Sequence, residues 1–96
     1  MTRPTEKEAY EGKCRRLIKK IWEKELKQSI EECPFVGFDP TTPAEPIFII
    51  LRTDKEKIQV HRSRFDECFN SENKEKQEYS TNILRELLAR HFLPKN

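Results

Sequence analysis

The longest apolar run in the sequence, IFIIL at residues 47–51, constrains the fold more than any other feature. It is continuous and rich in β-branched isoleucine, as is typical of a strand that is covered on both faces. The preceding segment, DPTTPAEP at residues 39–46, contains three prolines and cannot form a helix. We therefore predict a central strand that begins at residue 47, after an irregular loop.

A small antiparallel sheet is predicted around this strand. Residues 54–56 form a polar reversal, after which Ile58 and Val60 alternate with polar residues, so the two apolar runs predict a β-hairpin. The stretch FVGFD at residues 35–39 predicts a further short strand. The sheet should therefore contain two to three strands.

Helical patterns flank the sheet on both sides. Thr5 and Glu8 have the spacing of a capping box, and good helix formers continue until Pro34, which predicts one long helix. A helical period returns after residue 71 and ends before Pro94. The apolar face predicted for this last helix contains Tyr79, Ile83, Leu84, Leu87, Leu88 and Phe92.

Together these elements predict a single α+β domain over residues 1–96, in the order α-β-β-β-α. A long N-terminal helix occupies 5–33, the short strand, Pro-rich loop and hairpin occupy 35–65, and the C-terminal helix occupies 71–93. Double-stranded RNA-binding domains share this order. Their last helix opens on a basic cluster, whereas SENKEKQE here mixes acids with lysines, so the analogy covers topology alone.

Composition argues against several classes of function. Nineteen basic and seventeen acidic residues give a net charge of +2, so a nucleic-acid role has to rest on a local patch. Two glycines provide no Gly-rich phosphate loop, and three widely spaced cysteines provide no C-x-x-C metal motif. With no apolar signal region or membrane span, we expect a reduced, intracellular protein of the cytoplasm or nucleus, without enzymatic activity or cofactor.

The first helix carries an apolar ridge that predicts a partner. Apolar residues recur at intervals of four from Tyr10 to Ile30, and four residues overshoot a turn by about 40°, so the ridge winds around the helix. A helix of about 42 Å also exceeds the diameter of roughly 32 Å expected for so small a domain. We therefore predict a protein-interaction module, an adaptor or complex subunit, that binds a protein partner or a second copy. The interface residues predicted are Tyr10, Leu17, Ile18, Trp22 and Leu26. The competing interpretation is a helix kinked or frayed near Gly12 that packs in one core.

An RNA-binding domain is the alternative. The run KCRRLIKK at residues 13–20 places its basic side chains opposite the apolar face, which is also the pattern of an ordinary solvated surface. Arg62 and Arg64 continue the strand face begun by Val60, so the strand should end or leave the core there. The residues predicted to grip phosphates are Lys13, Arg16, Lys20, Arg62 and Arg64. A thiol nucleophile at Cys68, activated by His61, is a third and less supported interpretation.

Overall fold

The computed structural model describes residues 6–38 and 47–93, with side chains from Glu8 onward. Three α-helices accompany one antiparallel sheet of strand order β1-β2-β3. The predicted α+β class and α-β-β-β-α order are confirmed, with one additional helix before the last. In chain order the elements are helix α1 (Glu6–Lys20), a π-helical turn (Ile21–Glu25), a 3-10 turn (Ile30–Glu32), strands β1 (Phe35–Phe38), β2 (Phe48–Arg52) and β3 (Lys57–His61), and helices α2 (Arg62–Phe69) and α3 (Lys74–Phe92).

The first helix ends earlier than the predicted boundary at residue 33. The N–H of Leu26 donates to the carbonyl of Ile21 at 2.9 Å, and Lys27 then adopts a left-handed backbone with φ of 54°. The indole N–H of Trp22 donates to the carbonyl of Ser29 at 2.8 Å. A buried indole N–H needs such an acceptor, and a chain that turns back after the helix provides it. The helical part is therefore about 30 Å long and fits within the domain.

The hairpin and the short first strand form as predicted. Val36 of β1 pairs with Leu51 of β2, and Ile49 of β2 pairs with Val60 of β3. The turn is closed by Thr53, whose N–H donates to the carbonyl of Glu56 at 2.8 Å. The predicted loop at residues 39–46 and the predicted cap at Thr5 lie outside the described residues.

Strand β3 ends at His61, where the sequence predicted that the chain leaves the sheet. The Nδ1 atom of His61 accepts a hydrogen bond from the N–H of Ser63 at 3.1 Å and thereby caps helix α2. Helix α2 was not predicted from the sequence. This helix positions Phe65 and Cys68 in the core.

The helices cover one face of the sheet, and the core lies between them. Helix α3 packs mainly through Leu84 and Leu88. The prediction that Tyr79 faces the core is wrong, because Tyr79 is 62% exposed and the next residue, Ser80, is buried. The Ser80 hydroxyl donates to Glu67 of α2, so a polar contact fixes the two helices at this point. The fully enclosed core consists of Cys14, Ile18, Ile21, Trp22, Val36, Ile49, Leu51, Val60, Phe65, Cys68, Leu84 and Leu88. In the part of the chain that the structure describes, no helix is long and apolar enough to cross a bilayer.

Candidate nucleic-acid interface

The apolar ridge of the first helix is largely used by the domain itself. Ile18 and Trp22 are buried, and Leu17 and Leu26 are half-buried against the same core. Two elements cover the ridge as it winds, since α1 packs on β1 while the π-helical turn packs on α3. A single chain thus accommodates a ridge that one flat sheet could not cover.

Tyr10 is also held inside the domain. Its ring lies edge-on to Phe69 of α2 with centroids 5.8 Å apart, and its hydroxyl donates to Asp66 at 2.6 Å. Burial and this hydrogen bond hold the pKa of Tyr10 well above its usual value. Helix α2, absent from the prediction, is therefore what covers the N-terminal part of the ridge.

Three of the predicted phosphate-binding residues come together. Lys13, Arg16 and Lys20 line one side of a shallow groove of about 420 Å³ between α1 and the α2–α3 region. Lys13 places its ammonium 5.9 Å from the ring centroid of Phe69. The remaining lining residues are Leu17, Cys68, Phe69 and Gln77. Among the described residues that line the groove there is no carboxylate, so its potential is positive over an apolar floor.

Arg62 and Arg64 do not join this groove. Arg62 lies 3.4 Å from Asp66 and stacks on the ring of Tyr10 at 4.8 Å. Arg64 lies 3.6 Å from the carboxylate of Glu67. Both guanidinium groups are therefore partly neutralised by acids of their own helix, and they contribute to packing α2 against its neighbours.

The face of the sheet that points away from the helices carries two aromatic rings, those of Phe35 and Phe48. Phe35 is 63% exposed, and the guanidinium groups of Arg15 and Arg52 lie 5.9 Å and 5.7 Å from its ring centroid. Phe48 is partly exposed and meets the ring of His61 edge-on at 5.6 Å. The signal that could have identified this face is the alternation in FVGF, in which Val36 and Phe38 point to the core and Phe35 and Gly37 point away from it.

Pairing register defines this open face completely. Its members follow from the pairs Phe35 with Arg52, Gly37 with Ile50, Ile50 with Gln59, Phe48 with His61 and Arg52 with Lys57. None of these described strand residues is acidic. Ile50, in the middle of this face, is only 8% exposed although it lies outside the main core.

An acidic cleft of about 880 Å³ adjoins one end of the open face. It lies between the 3-10 turn, the hairpin turn and the end of α3, and it shares Phe35 and Arg52 with the sheet. The acids that line it are Glu31, Glu32, Asp54 and Glu56. The positive potential of the sheet therefore ends at this cleft.

The cysteines are placed as structural residues. Burial raises the pKa of the Cys14 thiol to about 12 and also raises the pKa of Cys68, whose sulfur accepts a hydrogen bond from Thr81 at 3.6 Å. His61 caps the opposite end of α2, about 10 Å along the helix from Cys68. Within residues 6–38 and 47–93, no group of His, Cys, Asp or Glu side chains is arranged to hold a metal ion.

Comparison of the chain with models of protein families, with curated proteins and with solved structures gives no significant match.

Proposed function

We propose that this protein is a small, non-enzymatic RNA-binding module that holds the phosphodiester backbone in the groove lined by Lys13, Arg16 and Lys20. The observation that supports it is the convergence of three cations on one groove whose described lining contains no carboxylate. Each phosphate that such a side chain neutralises releases condensed counterions, which favours binding at moderate salt.

The three side chains have complementary roles in this proposal. Lys13 and Lys20 act as point charges, whereas the Arg16 guanidinium offers a planar fork of donors that matches two phosphate oxygens. Leu17 and Phe69 add apolar surface beneath the three cations.

The protein-interaction function that the sequence favoured has less support. Two of its five residues, Ile18 and Trp22, are buried in the domain core, and Tyr10 is packed against Phe69. A partner on that face requires α1 to leave its own core. For a second copy, light scattering is the direct test, and a stable dimer would favour the interaction function.

The proposed function is tested by a charge-matched pair of variants. Arg16→Gln with Lys20→Gln removes one arginine and one lysine from the groove. Arg90→Gln with Lys55→Gln removes the same charges near the acidic cleft. Along α3, Arg90 lies about 20 Å from Gln77, which lines the groove. Fluorescence anisotropy with a labelled RNA should show at least tenfold weaker binding for the first variant and a change below threefold for the second.

Two outcomes contradict the proposal. One is the absence of wild-type binding at about 20 mM salt, where phosphate contacts are strongest. The other is equal weakening by both variants, which indicates dependence on net charge alone. A DNA strand of the same sequence, measured in parallel, reports how much the ribose 2′-hydroxyl contributes.

A further inference from the structure

The open face of the sheet combines features that the groove lacks. It presents two exposed aromatic rings and several cations on a flat three-stranded surface, and the groove presents mainly charge. We infer that this face is a binding site for unpaired nucleobases, so that the nucleic acid taken by this protein is single-stranded. The inference rests on the proposed nucleic-acid function and specifies the form of its ligand.

The aromatic rings are the first support. A nucleobase of any identity can stack on an exposed aromatic side chain, because every base has a π face. Phe35 and Phe48 lie on adjacent strands, and strand geometry puts their Cα atoms about 14 Å apart. They are too far apart to hold two bases in one stack, so each ring takes a different base of an extended strand.

The charges on the face are the second support, and they select among occupants. Arg52 lies next to Phe35, and Lys57 lies beside Arg52 on the next strand. The second guanidinium near Phe35, that of Arg15, is already paired with Glu11 of its own helix at 2.6 Å, so Arg52 and Lys57 carry the charge of this face. A second copy docked through the same face would bring these cations together, which disfavours self-association. A duplex keeps its bases paired and stacked, and a flat sheet offers no element to enter its grooves. An anionic strand with unpaired bases satisfies both the charges and the rings.

Gly37 is the third support. It lies on the open face opposite Ile50, next to the two rings, and a Cβ added there would meet no atom within 4 Å. The backbone of the edge strand β1 thus has open space above it beside Ile50. A base can lie flat against it between the two aromatic contacts.

The acidic cleft determines toward which end of the sheet the bound nucleic acid extends. Glu31 and Asp54 belong to the cleft that adjoins Phe35 and Arg52. A polyanion on the sheet is repelled from that end and runs toward Phe48 and His61. Arg15, which lies next to Phe35, is paired with Glu11 of α1 at 2.6 Å and does not offset this repulsion.

Gly37→Glu and Gly37→Gln form a matched pair that tests the site. Gly37 has no positive φ and open space above it, so both side chains fit without disturbing the core. The carboxylate repels phosphates on the open face, and the amide of the same shape does not. For a labelled 12-nucleotide oligouridine, we expect affinity at least tenfold weaker for the glutamate variant and within threefold of wild type for the glutamine variant.

Phe35→Ala supplies an independent measurement. Loss of one stacked base should weaken binding of the same oligouridine about fivefold or more, the equivalent of roughly 1 kcal/mol or above. A 12-base-pair RNA duplex should bind with unchanged affinity to Phe35→Ala and to both Gly37 variants. Circular dichroism confirms that each variant is folded before it is titrated.

The results separate this inference from the proposed function. If the groove variant weakens oligouridine binding but Phe35→Ala and Gly37→Glu do not, the proposed function stands and the open-face site is refuted. Equal wild-type affinity for duplex and single strand also refutes it. If wild-type protein binds polyglutamate and not oligouridine, both proposals fail, because the cations then serve an acidic protein.

Discussion

Replacing Trp22 by alanine distinguishes an internal role of the apolar ridge from an interface role. Trp22 is 1% exposed, and its indole N–H donates to the carbonyl of Ser29 at 2.8 Å. Truncation of a large buried aromatic side chain costs about 3–5 kcal/mol. A domain of this size has a total stability of roughly 5–14 kcal/mol, so the variant should lose about a fifth of it or more.

A phenylalanine at the same position refines this prediction. Trp22→Phe retains most of the apolar volume and removes the hydrogen bond, so we expect a smaller loss of about 1–2 kcal/mol. Trp22 is the only tryptophan in the sequence, so both variants lose the tryptophan fluorescence that would otherwise report unfolding. Urea unfolding should therefore be followed by circular dichroism at 222 nm.

The contrary result would place Trp22 at an interface. If Trp22→Ala costs less than about 1 kcal/mol at low protein concentration and abolishes an assembly that light scattering detects in the wild type, the indole packs against a partner and the account of the core fails.

Three smaller predictions concern single residues. Lys27→Gly should raise the free energy of unfolding by up to about 1 kcal/mol, because glycine adopts the φ of 54° without strain. Urea unfolding measures this change, with Lys27→Ala as the control. The free energy of unfolding should fall as pH rises from 9 toward 12, since the Cys14 thiol ionises near 9 when unfolded and only near 12 when folded. Equilibrium unfolding at several pH values should show a flatter profile for Cys14→Ala. Phe35→Ala should cost less than about 1.5 kcal/mol in thermal unfolding, because an exposed ring gains little beyond its two guanidinium contacts.

The strands were predictable because their signals are local. A continuous apolar run bounded by prolines and a polar reversal specifies the hairpin without reference to the rest of the chain. The end of the first helix was not predictable, because the residue with the left-handed backbone is Lys27 and not the usual Gly or Asn. The turn there depends on where the Trp22 indole finds its acceptor, which is a tertiary contact.

Part of the candidate site was predictable from the sequence. Lys13, Arg16 and Lys20 have helical spacing that places them on one side of α1. Arg62 and Arg64 do not join the groove because helix α2, which was not predicted, begins at Arg62, and its helical spacing pairs Arg62 with Asp66. The open face was missed because a short alternating segment does not reveal which of its sides is covered.

Helix α2 escaped prediction for a related reason. Its eight residues are too few for a convincing period, and its start depends on His61, whose ring nitrogen caps the first turn. Cys68 and Phe65 read equally well as strand or loop residues until the helix brings them onto α3. Tertiary packing therefore decides the element that covers Tyr10.

The salt dependence of RNA affinity tests the central claim most directly. Three groove cations on a single strand predict that the logarithm of the association constant falls against the logarithm of salt concentration with a slope of roughly −2, from about −0.7 per contact. Titrations of wild type and of Arg16→Gln with Lys20→Gln between about 20 and 200 mM salt should give slopes that differ by about 1.4, the contribution of the two groove contacts removed, while any contribution of the open face is common to both proteins. A wild-type slope near zero, or no binding at the lowest salt, would contradict the account.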